Sequence, residues 1–408
     1  MKILDIALFP VYPPNYGGAF VFYYPPLELV KRKHEVNFIT MREDEKADYA
    51  EFEENFKNNI YISKKNKFFS LAGKIPYSCK RFAPSQKEKE EIFQNIEKEN
   101  YDIVMFHGPH SALYFYLLKD YLSSKKIPTV YWSHNIEAEY LLSNWKVSTS
   151  VGRKIFYYFE YLKMRSFEKS FIQNFNLIFT VSPEDQKKLA LMNPKAKIIW
   201  IKPIIPLSSL SAKNYEKFPQ KDQLKKFDYR ILFTGILSHQ DNKFAVLWFA
   251  KEVMPILRKK INACFVVVGK DPAKEILDLT EDRKNNDIFV FGNVKSLVPF
   301  YEIVDLVVVP LFNSAGIKIK LIEALRYKKK IVSRPEGVFG SGLKDIVPVA
   351  EKAEDFAQKC FDVLENKIDF EPIWKRFEEM YDNEKIIEEL EAELIRLSSS
   401  KSNSSTFS

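Results

Sequence analysis

The sequence is short of glycine. Twelve glycines in 408 residues lie well below the usual ~7% of a globular chain, so each glycine that ends an apolar run is informative. Cysteine is nearly missing as well. Cys79, Cys264 and Cys360 are far apart and form no CxxC or Cys/His ligand spacing; a zinc site is thereby excluded, and the chain reads as one of a reducing, cytoplasmic compartment. Long apolar runs are also lacking. None approaches the ~20 residues that span a bilayer, and the short apolar stretch before Pro10 reads as a first strand instead of a signal peptide. No basic-aromatic signature of a nucleic-acid module occurs.

What is present argues for large packed cores. Apolar residues make up 46% and aromatics 15% of the chain, which excludes a disordered protein. A length of 408 residues predicts two domains. Lysine and arginine outnumber aspartate and glutamate by 62 to 54, a net charge of +8. That excess suits an anionic small molecule or an acidic membrane surface, and equally a solvated basic exterior.

Short, continuously apolar runs alternate with helical patterns, as in parallel sheets covered on both faces. The predicted strands are 3–9, 36–40, 103–107, 129–133, 177–181 and 198–201, with 41–80 less regular. The proline-, serine- and lysine-rich stretch 203–226 reads as a linker, after which strand runs ending at Gly235, Gly269 and near Gly292 restart the pattern, followed by "LVVVPL" and "KKIVSRPEG". The reading is two α/β domains, each a doubly wound parallel sheet: 1–204, a linker 205–228, and 229–373. The long charged helix 374–397 could return to the first domain, and the serine-rich 398–408 reads as a disordered tail.

Parallel sheets bind ligands beyond the carboxyl ends of their strands. The segment "VPLFNSAGIKIKLIEAL" lies there: a strand, a loop with Gly316, then a helix starting near Ile317 with Lys318, Lys320 and one carboxylate, Glu323. Free N–H groups, the positive helix end and two lysines predict an anion site. Glu323 lies seven residues past Gly316, about 10 Å along a helix. That suits a nucleoside diphosphate with phosphates on the helix entrance and ribose on Glu323, although an ordinary helix with surface lysines has the same spacing.

The segments "PLFNSAGIKIKLIEAL" and "KKIVSRPEGVFG" resemble the donor-binding region of family 4 glycosyltransferases of GT-B fold. "YPPNYGGA", "YWSHNIEAEY", "NLIFTVSPEDQ", "ILFTGILSHQDNKFAVLWF", "VVVGK" and "IFVFGNV" match further family segments, in order, over most of the chain. The resemblance implies two Rossmann-like domains facing across a deep cleft. It also implies metal-independent transfer of a hexose from a UDP- or GDP-sugar, with retention, to a glycan, lipid-linked or protein acceptor; neither cofactor nor metal is implied. Glu323 would bind ribose, with Glu323, Lys318 and His134 as the catalytic set. Gly316, Ile317 and Lys318 would present backbone donors to the phosphates, Gly235 would end the first donor-domain strand, and the Gly292–Val294 turn would hold the base. Gly17 and Gly18 would let the first-domain loop approach the donor. His134 would sit near the transferred sugar, with His107, Asn135 and Glu137 on the acceptor side.

Two departures stand out. The second acid found in many members is replaced by Ala315, and the diphosphate-clamping arginine by Ile236, leaving Lys243, Lys318 or Lys320 to substitute. These departures keep open a non-catalytic glycan- or acceptor-binding partner of a transferase complex, beside a nucleotide-sugar epimerase of the same fold. His107 and His110 have a spacing that could suit a metal, but no third ligand is near in sequence. The aromatic and basic stretch 152–171 reads either as a core helix or as a helix on an acidic membrane surface.

Overall fold

The computed structural model describes the chain except for residues 15–16, 43–47, 64–72, 149, 206–220, 282–285, 295, 314–315 and 404–408. Most of the predicted linker, the position of Ala315 and the end of the tail therefore lie outside the described residues. The chain divides into two compact units: 1–204 with 383–408, and 205–382.

The first unit is built on a seven-stranded sheet of β1 (Lys2–Pro10), β2 (Glu35–Met41), β3 (Ile60–Ile62), β4 (Ile103–His107), β5 (Thr129–Ser133), β6 (Leu177–Thr180) and β7 (Lys197–Trp200), in the order β3-β2-β1-β4-β5-β6-β7. Every pairing is parallel. The apolar runs form strands because helices cover both sheet faces: Ile3, Ile6, Val104, Phe106, Val130 and Tyr131 are all fully buried. Helices begin where the sequence supplies caps. Ser85 and Glu88 form a reciprocal capping box at helix Gln86–Glu99, and Ser182 caps helix Pro183–Met192. The strand β3 is an addition to the sequence reading; its three residues are too few to show a pattern amid the irregular stretch around them.

The second unit carries β8 (Tyr229–Ile236), β9 (Ala263–Lys270), β10 (Ile288–Gly292), β11 (Leu306–Val309) and β12 (Lys330–Ser333), in the order β10-β9-β8-β11-β12, again all parallel. In each sheet the strand order reverses once, between β1 and β4 and between β8 and β11. Those reversals open the crevices where doubly wound folds hold ligands.

Two expectations for the C-terminal region are corrected, and the segment after β8 is not one regular helix: a helix Gln240–Trp248 passes through a π-helical stretch Phe249–Val253 into Met254–Leu257. Pro255 is the cause, since it has no N–H for the carbonyl one turn back and its ring crowds that carbonyl. The C-terminal helix is two helices, Glu371–Met380 and Asn383–Asn403, and the return to the first unit begins at Asn383. Finally, the second of these helices continues through 398–403, so that part of the predicted disordered tail is helical.

The returning helix is anchored by burial and by charge. Ile386, Ile387, Leu390 and Leu394 are buried. Arg32 pairs with Glu384 at 2.7 Å and Glu391 at 3.0 Å, His34 lies 2.7 Å from Glu391, and Lys197 pairs with Glu393 at 2.6 Å.

Candidate functional site

In the second unit the carboxyl ends of β8, β9 and β10 present three glycines side by side, Gly235 opposite Gly269 and Gly269 opposite Gly292. Each is demanded by close approach. A Cβ on Gly269 would fall 1.7 Å from the Gly235 carbonyl oxygen, one on Gly235 2.9 Å from the Lys320 ammonium, and one on Gly292 2.8 Å from the Pro272 ring. The row lets neighbouring backbone and side chains pack directly onto the strand ends. Just past it, Asn293 takes a left-handed φ of 54° and its side chain accepts a hydrogen bond from the Asp271 amide at 2.9 Å. Val294 follows, half-buried.

The neighbouring wall is the loop after β11. Phe312 is held by Phe244, Trp248 and the Arg334 guanidinium, which lies 3.9 Å from its ring centre. Asn313 is buried and donates to Asp241 at 3.1 Å, tying this loop to the helix that follows β8. Gly316 has a φ of 63°, a conformation that favours glycine, and Lys318 is the N-cap of helix Ile319–Arg326. The helix starts two residues later than the sequence reading placed it, leaving Ile317 in the turn.

Lys320 and Glu323 occupy the first two turns. The Lys320 ammonium donates to Asn242 at 2.7 Å and lies 4.0 Å from the centre of the Phe233 ring. Burial, reinforced by the Lys318 charge, pulls its pKa down to about 7. Glu323 is buried near Tyr301; burial pushes its carboxyl up to about 7 against the opposing pull of Lys320 and Tyr301. Tyr301 is itself fixed by stacking on Tyr327 at 4.5 Å. Of the three cations that could stand in for an arginine at Ile236, Lys320 is the one beside Gly235. Lys243 is turned to Glu275, 2.7 Å away.

The first unit holds a second constellation at its own strand-order reversal. Asp5 on β1 is opposite Met105 of β4; two residues on, His107 is opposite Trp132 of β5; two further on comes His134. Because side chains alternate along a strand, this diagonal puts all three on one face. The Asp5 carboxylate lies 2.6 Å from His107 Nε2, and His107 Nδ1 is 2.7 Å from His134 Nε2. Both imidazoles stack nearly parallel, 5.0 Å apart, and Phe22 packs edge-on against His134 at 4.3 Å. Burial, with the neighbouring His107 and His110, drives the His134 pKa well below the ordinary range.

Asn135 donates to Glu137 at 3.3 Å, and Glu137 is buried, its carboxyl 3.8 Å from His110 and pushed up to about 7 by burial. Glu168 accepts from the backbone amides of Glu137 and Ala138 at 3.0 and 3.1 Å, capping helix Glu137–Val147 from outside it. His110 packs edge-on against Phe9 and Phe82. Among the described residues no three His, Cys, Asp or Glu side chains gather as a metal-ligand set. Gly17 and Gly18 open helix Gly17–Lys31 directly, so they belong to a helix start and not to a free loop.

The sequence reading missed Asp5, Asn242, Tyr301 and Glu168. Asp5 had a visible signal, a lone acid inside the apolar run "KILDIALF". The others act on residues 22 to 78 positions away in the chain, which no local pattern records.

Two Rossmann-like units with ligand-type crevices at their strand-order reversals constitute the fold of the GT-B glycosyltransferases. Residues 27–209 match the family model described as Glycosyltransferase Family 4, and residues 228–366 that described as Glycosyl transferases group 1; the two matches follow one another along the chain, one in each unit. It is 23% identical over 353 residues, 84% of each chain, to an uncharacterized 44.6 kDa protein in the cps region of Klebsiella pneumoniae. Its fold matches the crystal structure of a glycosyltransferase from Rickettsia africae (TM-score 0.64, 16% identity, 97% of this chain and 98% of that one). It likewise matches Anabaena HepE in complex with UDP and glucose (TM-score 0.65, 12% identity, 97% and 99%).

Proposed function

We propose that the protein is a metal-independent, retaining family 4 glycosyltransferase. It moves a hexose from a nucleoside-diphosphate sugar, UDP- or GDP-linked, to a glycan, lipid-linked or protein acceptor in polysaccharide or glycoconjugate synthesis. One observation carries the reading: a buried carboxylate, Glu323, one turn beyond a lysine-flanked helix entrance, in the same unit as a row of three strand-end glycines. The helix entrance and Lys320 would attract a diphosphate, and the carboxylate would accept hydrogen bonds from ribose hydroxyls. Lys318 and Lys320 would then stabilise the leaving diphosphate as charge develops on it. His134 would contact the transferred sugar, with His107, Asn135 and Glu137 on the acceptor side. A similar fold binding UDP in Anabaena HepE favours a uridine nucleotide as the first to try.

The test is a thermal-shift panel of UDP, GDP, ADP and their sugars on wild type and Glu323→Ala. A nucleoside diphosphate at 100 times its dissociation constant stabilises by about 2.7 kcal/mol, a shift of a few degrees that the variant should lose. No shift with any of them would sink the reading. Incubation with donor alone then separates slow release of free sugar, expected of a transferase, from an epimerised nucleotide sugar.

The acceptor side includes an anionic membrane surface at the cytoplasmic face. Helix Val151–Phe171 leaves Val151, Ile155, Tyr158, Phe159 and Leu162 between 41% and 73% exposed, beside exposed Arg153, Lys154, Arg165 and Lys169. Its only acids, Glu160 and Glu168, are buried. An outward face of apolar and cationic groups alone fits acidic lipid. Among the described residues no helix is long and apolar enough to cross a membrane. Sedimentation with vesicles should show binding to phosphatidylserine-containing but not purely zwitterionic lipid, falling at least tenfold in Ile155→Ser/Phe159→Ser; equal binding to both lipids would count against it.

A further inference from the structure

Lys320 raises a separate question. An ammonium drawn out of bulk water needs an acceptor to stay charged, and the acceptor here is a neutral amide. The Lys320 Nζ donates to Asn242 Oδ1 at 2.7 Å and lies 4.0 Å from the centre of the Phe233 ring, a cation–π contact. The charged groups around it act through space: Lys318 lowers its pKa, while Glu323 and Asp241 raise it. Asp241 is itself bonded to Asn313 at 3.1 Å. When protonated, Lys320 thus carries a charge that no carboxylate among the described residues pairs at hydrogen-bond distance.

The Asn242 amide can face only one way. Its Nδ2 donates to the Ile236 carbonyl at 2.9 Å, so its Oδ1 is the end turned to Lys320. A flipped amide would set NH₂ against ammonium and oxygen against carbonyl, losing both bonds. Gly235 makes the arrangement possible. A Cβ there would fall 2.8 Å from Asn242 Nδ2 and 2.9 Å from Lys320 Nζ, so any side chain at 235 would displace amide and ammonium together. Gly235, Ile236, Asn242 and Lys320 are all half-buried, so the cluster is not sealed from solvent.

We propose that Asn242 is a positioning residue: anchored to the Ile236 carbonyl, it holds the Lys320 ammonium charged and in place against Gly235, as the fixed cation for a ligand diphosphate. This rests on the transferase reading only for the identity of the anion; the coupling of Asn242 to Lys320 is a property of the free protein.

The test has a ligand-free and a ligand-bound arm. Competitive labelling of the full-length protein with acetic anhydride between pH 5.5 and 10, read on the Lys320 peptide by mass spectrometry, reports the titration of Lys320 itself. Removing the acceptor disfavours the charged form and a carboxylate in its place favours it. Asn242→Leu should therefore move the midpoint down, and Asn242→Asp up, by about one pH unit each. Asn242→Asp carries the test if Asn242→Leu does not fold. In the second arm, titration with UDP and GDP follows the charge. With a wild-type midpoint of about 7 lowered by about one unit, Asn242→Leu should weaken the nucleotide that binds about tenfold at pH 8 but only about twofold at pH 6. A site merely loosened by the substitution would lose equally at both. Unmoved midpoints in both variants, a Lys320 that is labelled at no pH, or an equal loss at pH 6 and pH 8 would overturn the proposal. Absence of UDP and GDP binding to wild type, with the midpoints shifted as expected, strikes the transferase reading alone; nucleotide binding with unmoved midpoints strikes this proposal alone.

Discussion

Glu323 and Lys320 are two buried, oppositely charged groups whose pKa values burial has moved toward each other, one up to about 7 and the other down to about 7. Their signs with respect to nucleotide binding are opposite. Glu323 accepts ribose hydroxyls best when ionised, so its contribution grows as pH rises through 7. Lys320 attracts diphosphate when charged, so its contribution fades over the same range. Affinity for a nucleoside diphosphate should therefore follow a bell with its maximum near neutrality, each limb changing by up to about tenfold per pH unit. Isothermal titration between pH 5.5 and 8.5 measures it. Glu323→Gln should flatten the acid limb at lower overall affinity, and Lys320→Arg, whose charge persists, should flatten the alkaline limb. A monotonic wild-type profile would remove one of the two from the site.

At the scale of elements, the site is assembled by ties between segments distant in sequence. Asn313 bonds Asp241, Lys320 bonds Asn242, and Tyr301 influences the Glu323 carboxyl, so three helices that each follow a different strand share one constellation. The first unit uses the same device with Glu168, whose carboxylate satisfies two amides at the start of helix Glu137–Val147. A helix start without partners leaves buried donors orphaned, at about 1–3 kcal/mol each. Glu168→Ala should thus lower urea-unfolding stability by on the order of 2–6 kcal/mol at pH 7. An unchanged midpoint would mean that water reaches those amides. Burial pushes the Glu168 carboxyl up to about 8. An acid raised in the folded state stabilises least when it must ionise, so its contribution declines as pH climbs from the unfolded value through 8.

At the scale of the molecule, the first unit is not a continuous stretch of chain. Its packing is completed by Asn383–Asn403, which brings Ile386, Ile387, Leu390 and Leu394 into its core. At about 1.5–3 kcal/mol for each buried aliphatic side chain, losing them takes away a large part of a typical domain's stability. A chain ending at Asp382 should show residues 1–204 cut rapidly in limited proteolysis while 229–380 stays resistant. Equal resistance of both parts would show that the helix only decorates the unit.

The sequence determined every strand but β3, since continuous apolar runs closed by turns have few other fates. It also located the glycines at the strand ends, Gly316, and the carboxylate Glu323, because helix spacing and strand-end position are local properties. The tertiary structure decided the rest. That Lys320 and not Lys243 lies beside Gly235, that Tyr301 lies near Glu323, and that Asp5, His107 and His134 share one sheet face all depend on strand order and register. So does the capping of one helix by Glu168 from another. Strand order is set by which buried faces pack best over the whole sheet, a sum of contacts between residues far apart in the chain, and no window of sequence contains it.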